Sequence, residues 1–254
     1  MSVNQDRIRL SSNSGLNFAK YASEGFDPNM WEEINPVGKR IGYTVDLSQV
    51  GCSCNSCLTM VAMPGYDQNG NPYPSGGNYY CDANKIGGNY CPEFDISEAN
   101  MYALATTAHK CNEPNNKHYD WCDGAGLQTK VYEVDRNAYC PQDYCTINTM
   151  KPYRHECDFK TGGDGVLNQV SCTLSQEGRS FTYDLPHDEG YLRQVDPQLK
   201  RGMVLDMCLW GGSNADLQWL DGDTGCQGDC NVGASTQVFS DLEITSLSNI
   251  MASE

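Results

Sequence analysis

The sequence is poor in positive charge and contains no long apolar run. Its 254 residues include 17 lysines and arginines against 33 aspartates and glutamates, a formal net charge of −16. Nucleic acids and anionic membranes would repel such a protein, so neither is an expected partner. No stretch approaches the ~20 apolar residues of a transmembrane helix. Internal repeats and low-complexity linkers are also absent, which predicts a single domain over residues 1–254.

Histidine is scarce, whereas cysteine is abundant. The four histidines and fourteen cysteines include no paired C-x-x-C modules at zinc-finger spacing, so no metal site is expected. An even number of cysteines between Cys52 and Cys230 instead predicts up to seven disulfides and a secreted protein, because disulfides persist in oxidising compartments. We expect Cys52, Cys54 and Cys57 to staple a turn between two strands, and residues 225–230 to form another stapled loop.

Helix signals are few, and turn residues (Gly, Pro and Asn) occur throughout the chain. Short runs with strand character lie at residues 41–47, 58–63, 94–96, 180–185, 203–210, 217–220 and 238–244. The best helix candidate is 97–109, rich in Ala, Met and Leu, with a loop as the alternative. This pattern predicts an all-β jelly-roll sandwich of two antiparallel sheets. Residues 111–172 hold six cysteines and show little periodicity, which we interpret as a disulfide-pinned excursion forming the wall of a cleft.

Three acidic residues are crowded into the sequence CPEFDISEAN at residues 91–100. On a regular strand Glu93 and Asp95 share a face, and Glu98 lies on the opposite one. A β-bulge near residues 96–97 would add one residue and bring all three carboxyls onto one concave face. The alternative is a solvated acidic edge without chemistry.

Two neighbouring carboxyls on one face suit the hydrolysis of a glycosidic bond. Like charges push their pKa values apart, so that one group is ionised and the other keeps its proton. At a separation of roughly 5–5.5 Å, the ionised group can attack the anomeric carbon while the protonated group serves the leaving oxygen. No metal or organic cofactor is needed for this reaction.

The acidic stretch Glu-Phe-Asp-Ile-Ser-Glu-Ala-Asn resembles the catalytic strand of glycoside hydrolase family 7, which reads E-x-D-x-W-E-A-N. That family contains the cellobiohydrolases and endoglucanases that cut cellulose. The resemblance implies that Glu93 is the nucleophile, Asp95 its partner and Glu98 the acid/base. It also implies a role for His109, which lies eleven residues after Glu98, as the family's histidine does, with Lys110 where the family has proline.

Further motifs extend the resemblance over roughly residues 40–245 in the family's order. They are YTVDLSQVGC at 43–52, CPQDYC at 140–145, KPYR at 151–154, GMVLDMCLW at 202–210 and LQWLD at 217–221. Several motifs at matched spacing are much more specific than one. The resemblance therefore implies a β-jelly roll with a concave substrate cleft and a retaining hydrolase of β-1,4-linked glucan.

The resemblance also suggests sugar-binding residues. Trp210 and Trp219 would stack on glucose rings, the alternative being that they are core residues. Arg154 and Arg136 would clamp the leaving-group sugars, the alternative being that they are surface salt-bridge partners. The expected partner is thus a β-glucan polysaccharide or oligosaccharide, bound by a monomer.

Two departures from the family leave other functions open. Ser97 stands where the family has tryptophan, so either another group fills that volume or the pocket accepts a different sugar. The segment before residue 43 is short, which predicts a shorter, open cleft and endo-acting cleavage. The alternatives are a carbohydrate-binding protein with little or no catalysis, and a hydrolase or lyase acting on another β-linked polysaccharide.

Overall fold

The structure is a computed structural model that describes residues 2–4, 7–74 and 78–251. Two large antiparallel sheets stack on each other. The first contains, in spatial order, β1 (Ser2–Asn4), β2 (Arg7–Ser11), β16 (Thr236–Ser246), β5 (Lys39–Gln49), β12 (Tyr153–Thr161), β13 (Leu167–Gln176) and β14 (Arg179–Asp184). The second contains β3 (Ser14–Asn17), β15 (Met203–Gly211), β6 (Cys54–Val61), β7 (Glu93–Ala99), β8 (Leu104–His109) and β9 (Leu127–Lys130), with β4 (Glu33–Ile34) also paired to β15.

The remaining elements are short, apart from one helix. Strands β10 (Tyr139–Cys140) and β11 (Ile147–Asn148) form a small parallel pair. The helices are α1 (Val131–Val134), α2 (Glu189–Lys200), α3 (Gln218–Asp221) and α4 (Leu247–Met251). The all-β sandwich of antiparallel sheets is therefore confirmed. Within the described residues, no helix is long and apolar enough to cross a membrane.

The core lies between the two sheets and follows the period-2 pattern of their strands. In β12, buried Tyr153 and Phe159 alternate with half-buried polar residues, so this sheet has one inner face and one solvated face. The second sheet is different, because every residue of β6 and β8 is buried. One of its faces packs on the first sheet, where Phe94 and Phe159 have ring centroids 4.9 Å apart. Its other face, which the jelly-roll resemblance predicts to be concave, is covered in part by loops such as the one closed by Cys81–Cys91.

Strand pairing overrides local propensity in two segments. Residues 97–109 do not form a helix: they comprise the end of β7, a turn and β8, because pairing in the buried sheet outweighs the helix preference of Ala, Met and Leu. Residues 217–220 do not form a strand, since α3 begins at Gln218. The amphipathic helix α2 was missed; Asp188 caps it by accepting from the Tyr191 N–H.

The interpretation of residues 111–172 as one long excursion was wrong. This segment contains β12 and part of β13, two inner strands of the first sheet. Their inward positions include His155, Cys157 and Cys172, which are completely or almost completely buried. Because these residue types do not register as hydrophobic in a simple pattern, the alternation was not visible in the sequence.

All fourteen cysteines are paired. The seven disulfides are Cys52–Cys226, Cys54–Cys230, Cys57–Cys208, Cys81–Cys91, Cys111–Cys122, Cys140–Cys145 and Cys157–Cys172. The first two tie the turn between β5 and β6 to the loop at 226–230, so both segments are stapled as expected. The third joins the neighbouring strands β6 and β15.

Loop closure predicts unequal contributions of these disulfides to stability. The bonds Cys52–Cys226, Cys54–Cys230 and Cys57–Cys208 join the same two parts of the chain, so removing one of them leaves the long connection closed by the others. Replacing all six of these cysteines by serine opens a connection of at least 151 residues, whereas the same change at Cys140 and Cys145 opens one of 5 residues. In the chain-entropy model the first change lowers the free energy of unfolding by at least about 3 kcal/mol more than the second. Urea unfolding of the two variants measures this difference, and equal losses would contradict it.

Candidate active site

A β-bulge in β7 brings the three acidic residues onto one face of the second sheet. Asp95 lies opposite Thr59 of β6 and Thr107 of β8. The next β7 residue that pairs with β6 is Ser97, and the next one that pairs with β8 is Glu98. One residue is therefore extra, at Ile96, and the predicted bulge is confirmed. Phe94 and Ile96 belong to the core cluster, so Glu93, Asp95 and Glu98 lie on the concave face.

Glu93 is buried at the start of β7. Its Oε2 accepts a hydrogen bond of 2.9 Å from the backbone N–H of Ala83, in the loop that the Cys81–Cys91 disulfide closes. Burial, followed by the charges of Asp95 and Asp82, raises the pKa of Glu93, and the Ala83 N–H opposes that rise. This N–H favours the ionised form of the carboxyl.

Asp95 and His109 form a buried ion pair in the middle of the face. The Nε2 of His109 lies 2.8 Å from Asp95 Oδ2, and its Nδ1 lies 2.8 Å from the carbonyl oxygen of Asp123. A carbonyl and a carboxylate can only accept, so an imidazolium that donates from both nitrogens satisfies the geometry. Burial disfavours this charge, but the hydrogen bond to Asp95 and its charge outweigh it and raise the pKa of His109 to about 9.

Glu98 lies at the other end of the three acids and is paired with an amide side chain. Its Oε1 accepts from the Nδ2 of Asn55 at 2.8 Å, while the Asn55 Oδ1 accepts from the backbone N–H of Ala99. Burial and the charge of Asp95 raise the pKa of Glu98 to about 8, opposed by the Asn55 hydrogen bond and by His109. At neutral pH Glu98 is therefore mainly protonated and can act as an acid.

A polar row crosses the concave face beside the acids. Asp206 of β15, Thr59 of β6 and Asp95 are direct cross-strand neighbours, and Asn17 of β3 donates to Asp206 Oδ1 at 2.7 Å. The Thr59 hydroxyl and Asp95 Oδ1 are buried and make no hydrogen bond within the described protein. Burial, together with the charges of Asp95 and Asp82, raises the pKa of Asp206 to about 7, although the Asn17 hydrogen bond opposes this.

The sequence did not lead us to expect this polar row, nor the positions of Asn55 and Asp82 beside the acids. One signal was available for Asp206: it is the single charged residue in the apolar run MVLDMCLW, at a position whose neighbours all face the core. Asn55, Thr59 and Asn17 gave no such signal, because their place depends on the pairing of β3, β15, β6 and β7.

The two tryptophans are exposed, which excludes the alternative that they are core residues. Trp210 lies directly opposite Asn55, the residue that contacts Glu98, and its side chain is 36% exposed. Trp219 is 37% exposed and belongs to α3. The last residue of this helix, Asp221, holds it in place: its carboxylate accepts a 2.6 Å hydrogen bond from the side-chain amide of Asn100. Both indoles are thus accessible to a ligand at the Glu98 end of the second sheet.

The two arginines have different positions. Arg136 donates to the carbonyl oxygen of Asp223 just after α3, so it lies near the helix that carries Trp219. Arg154 does not join the acids. It alternates with buried Tyr153 and His155 in β12 and therefore faces outward from the first sheet. There it donates to the Asp241 carbonyl and contacts Glu156 and Glu243, as the salt-bridge alternative predicts.

The side chain of Ser97 points into the core and not into the cleft. Its hydroxyl accepts a 2.6 Å hydrogen bond from Tyr43, a fully buried residue of β5 in the first sheet. Of the two alternatives for the missing tryptophan, this favours the first, because Ser97 does not contribute to the surface on which the acids lie.

Two clusters in the described part of the chain bring three metal-type ligands within 4.8 Å of one another. One consists of His155 with Cys157 and Cys172, whose sulfurs are joined in a disulfide and offer no thiolate. The other is Glu93, Asp95 and His109, in which both histidine nitrogens already face oxygen acceptors. Hydrogen bonds from the protonated His109 ring to these acceptors account for the short distances in this second cluster.

Buried carboxyls with different partners on a concave sheet face, next to exposed tryptophans, are typical of glycoside hydrolases. The chain is 26% identical over 240 residues to Endoglucanase 1 of Humicola insolens, which covers 75% of this chain and 60% of that protein. It is 30% identical over 228 residues to Endoglucanase EG-1 of Hypocrea jecorina, covering 76% of this chain and 47% of that protein. The chain thus spans about 60% or less of the length of these relatives. No protein-family model matches it.

Solved structures share the fold over nearly the whole chain. Endoglucanase I complexed with cellobiose matches with a TM-score of 0.75 at 18% identity, over 94% of this chain and 76% of that one. A family 7 cellobiohydrolase from Daphnia pulex matches with a TM-score of 0.73 at 18% identity, over 97% and 80%. The resemblance to glycoside hydrolase family 7 is thereby confirmed, with the present chain as a divergent relative.

Removing the charge of Asp95 should lower the pKa of one acid, Glu98, and of one base, His109. In Asp95→Asn, Glu98 loses a repelling negative charge and His109 loses an attracting one, so the pKa of Glu98 falls below about 8 and that of His109 below about 9. Carbon-detected NMR titration of labelled Glu and His side chains measures both values. An unchanged pKa for Glu98 would contradict the central role of Asp95. Asp158→Asn, at the outer face of the first sheet, is the control.

Proposed function

We propose that the chain forms a single catalytic domain that hydrolyses β-1,4-linked glucan with retention of configuration, cutting within the chain. One observation carries this proposal: the bulge at Ile96 aligns Glu93, Asp95 and Glu98 on a concave face, where each carboxyl has a different partner. A solvated acidic edge would need no such burial and no such partners.

Glu93 is proposed as the nucleophile. In its carboxylate form, which the Ala83 N–H favours against the opposing effects of burial and of Asp95, Glu93 attacks the anomeric carbon, while Glu98 gives its proton to the leaving glycosidic oxygen. The covalent glycosyl–enzyme intermediate is then hydrolysed by a water molecule that Glu98, now ionised, deprotonates. Asp95 and His109 hold one negative and one positive charge between these two carboxyls throughout. The reaction needs no metal or organic cofactor.

The substrate is proposed to be a cello-oligosaccharide or a β-glucan polymer. Solved structures with this fold include one complexed with cellobiose and one complexed with cellotetraose, and the relatives are named endoglucanases. In this chain Trp210 and Trp219 would stack on sugar rings, and Arg136 would bond sugar hydroxyls next to Trp219. The unpaired Thr59 hydroxyl and Asp95 Oδ1 would bond hydroxyls of the sugar at the cleavage point.

We further propose that the protein acts outside the cell as a monomer. Seven disulfides are stable in an oxidising compartment and would be lost in a reducing cytosol. The net charge of −16 suits a neutral polysaccharide better than an anionic one.

The assignment of Glu93 is tested by Glu93→Gln. The amide cannot attack as a carboxylate does, so turnover of soluble β-glucans falls at least ~10³-fold, while oligosaccharide binding and the unfolding midpoint change little. Reducing-sugar release, calorimetric binding and thermal unfolding measure the three quantities, and NMR of the first product gives its anomeric configuration. Near wild-type turnover refutes the assigned nucleophile. A wild-type protein that binds oligosaccharides but turns over no glucan indicates the carbohydrate-binding alternative.

The stacking role of Trp210 is tested by Trp210→Ala. Loss of the indole removes contacts made equally in the ground and transition states, so KM rises on the order of 10-fold with a smaller change in kcat. Steady-state kinetics on cello-oligosaccharides measures both constants. The control is Tyr144→Ala, which removes a 73% exposed aromatic side chain between β10 and β11. Equal effects of the two substitutions would contradict stacking.

A further inference from the structure

A chain of polar side chains lies in the core directly beneath the bulge of β7. The Tyr43 hydroxyl donates to Ser97 at 2.6 Å and lies 2.8 Å from His155 Nδ1. On the other side of the ring, His155 Nε2 lies 3.0 Å from the Tyr183 hydroxyl, which lies 2.9 Å from the Thr106 hydroxyl. Each of these five side chains is buried.

Both ends of this polar chain finish on the bulge. One end is the Ser97 side chain, next to Glu98 in sequence. The other is Thr106 of β8, whose hydroxyl donates to the backbone carbonyl of Ile96 at 2.8 Å. Thr106 is the one β8 residue between the two that pair with Asp95 and Glu98, so it lies opposite the bulge. The two residues at the bulge of β7, Ile96 and Ser97, are therefore each held by a core hydroxyl.

The free-energy cost of burying these polar side chains indicates that they have a role in the structure. Polar groups in a core are costly unless each is paired, and an apolar side chain at position 97 would avoid the cost. Burial lowers the pKa of His155 to about 3, so the ring stays neutral and links two tyrosines without adding charge under the acids. Rings of Tyr43 and Tyr183 flank His155 with centroids 5.4 and 6.1 Å away.

We propose that Tyr43, His155, Tyr183 and Thr106 are positioning residues that fix the β7 bulge through Ile96 and Ser97 and so set the place of the Glu98 carboxyl. This inference rests on the proposed function only in assigning Glu98 as the acid. A bulge has fewer ladder hydrogen bonds than a regular strand, because its extra residue is unpaired. The core hydroxyls supply the missing constraint from the side away from the substrate.

The test compares Tyr43→Phe with Tyr153→Phe. Both changes remove one hydroxyl from a fully buried tyrosine of the first sheet, but among the described residues the Tyr153 hydroxyl hydrogen-bonds only to that of Tyr139 and does not reach the bulge. The probes are phenyl β-cellobioside, whose leaving group needs an acid, and 2,4-dinitrophenyl β-cellobioside, whose leaving group does not. The ratio kcat/KM reports only the steps up to release of the phenol.

In Tyr43→Phe we expect kcat/KM for the phenyl glycoside to fall on the order of 10-fold, part of the 10²–10⁴-fold that a general acid contributes, and that for the dinitrophenyl glycoside to fall less than about 2-fold. Tyr153→Phe should change both substrates equally. A second pair repeats the test: Thr106→Val should act like Tyr43→Phe, and Thr106→Ser, which keeps the hydroxyl, should restore wild-type behaviour. Equal losses on both substrates in Tyr43→Phe and Thr106→Val would overturn the proposal.

A wrong assignment of the function gives a different result from a wrong assignment of the positioning role. If the wild type cleaves neither glycoside, the positioning role is measured by NMR titration of Glu98. A shift of its pKa in Tyr43→Phe, absent in Tyr153→Phe, supports the proposal, and an unchanged pKa in both variants overturns it.

Discussion

The extra residue at Ile96 is the constraint on which the site depends. Without it, Glu98 would face the core, where an acidic side chain would meet Tyr43 and its neighbours, and Ser97 would face the cleft. One added residue reverses both, because side chains alternate along a strand. The bulge therefore places the Ser97 hydroxyl on the inner side, where it bonds Tyr43, and the Glu98 carboxyl on the outer side, where it bonds Asn55.

Burial of like charges is the second theme of the structure. Glu93, Asp95, Asp206 and Asp82 are buried on or beside one sheet face, together with the carboxyl of Glu98, and each raises the cost of ionising the others. The His109 imidazolium offsets part of this cost because its second nitrogen is anchored on a backbone carbonyl. A protonated Glu98 offsets a further part. The same crowding that lowers stability thus supplies a proton donor at neutral pH.

The sequence was most informative where function is encoded locally. The acid spacing predicted the bulge, the cysteine count predicted the disulfides, and the motifs predicted the fold. Interpretation failed where tertiary contacts decide. Pairing with β7 and β9 makes residues 104–109 a strand despite their helix preference, and Arg154 lies on the outward face of β12, on the opposite side of the sandwich from the acids. Asn55 could not be found because strand order creates its proximity to the acids, and the one local signal for Asp206, a charge within an apolar run, does not show what lies beside it.

The disulfide pattern has a consequence for how the chain is made. Cys52, Cys54 and Cys57 are separated from their partners by 174, 176 and 151 residues, and β5 and β6 pair with β16 and β15 from the far end of the described chain. At a ribosomal rate of about 5–20 residues per second, these early segments wait on the order of 10–30 s for their partners to be synthesised. During that interval their thiols and strand edges lack their native partners. The two sheets are therefore completed only after β15 and β16 have been synthesised, and these three disulfides are among the last to form.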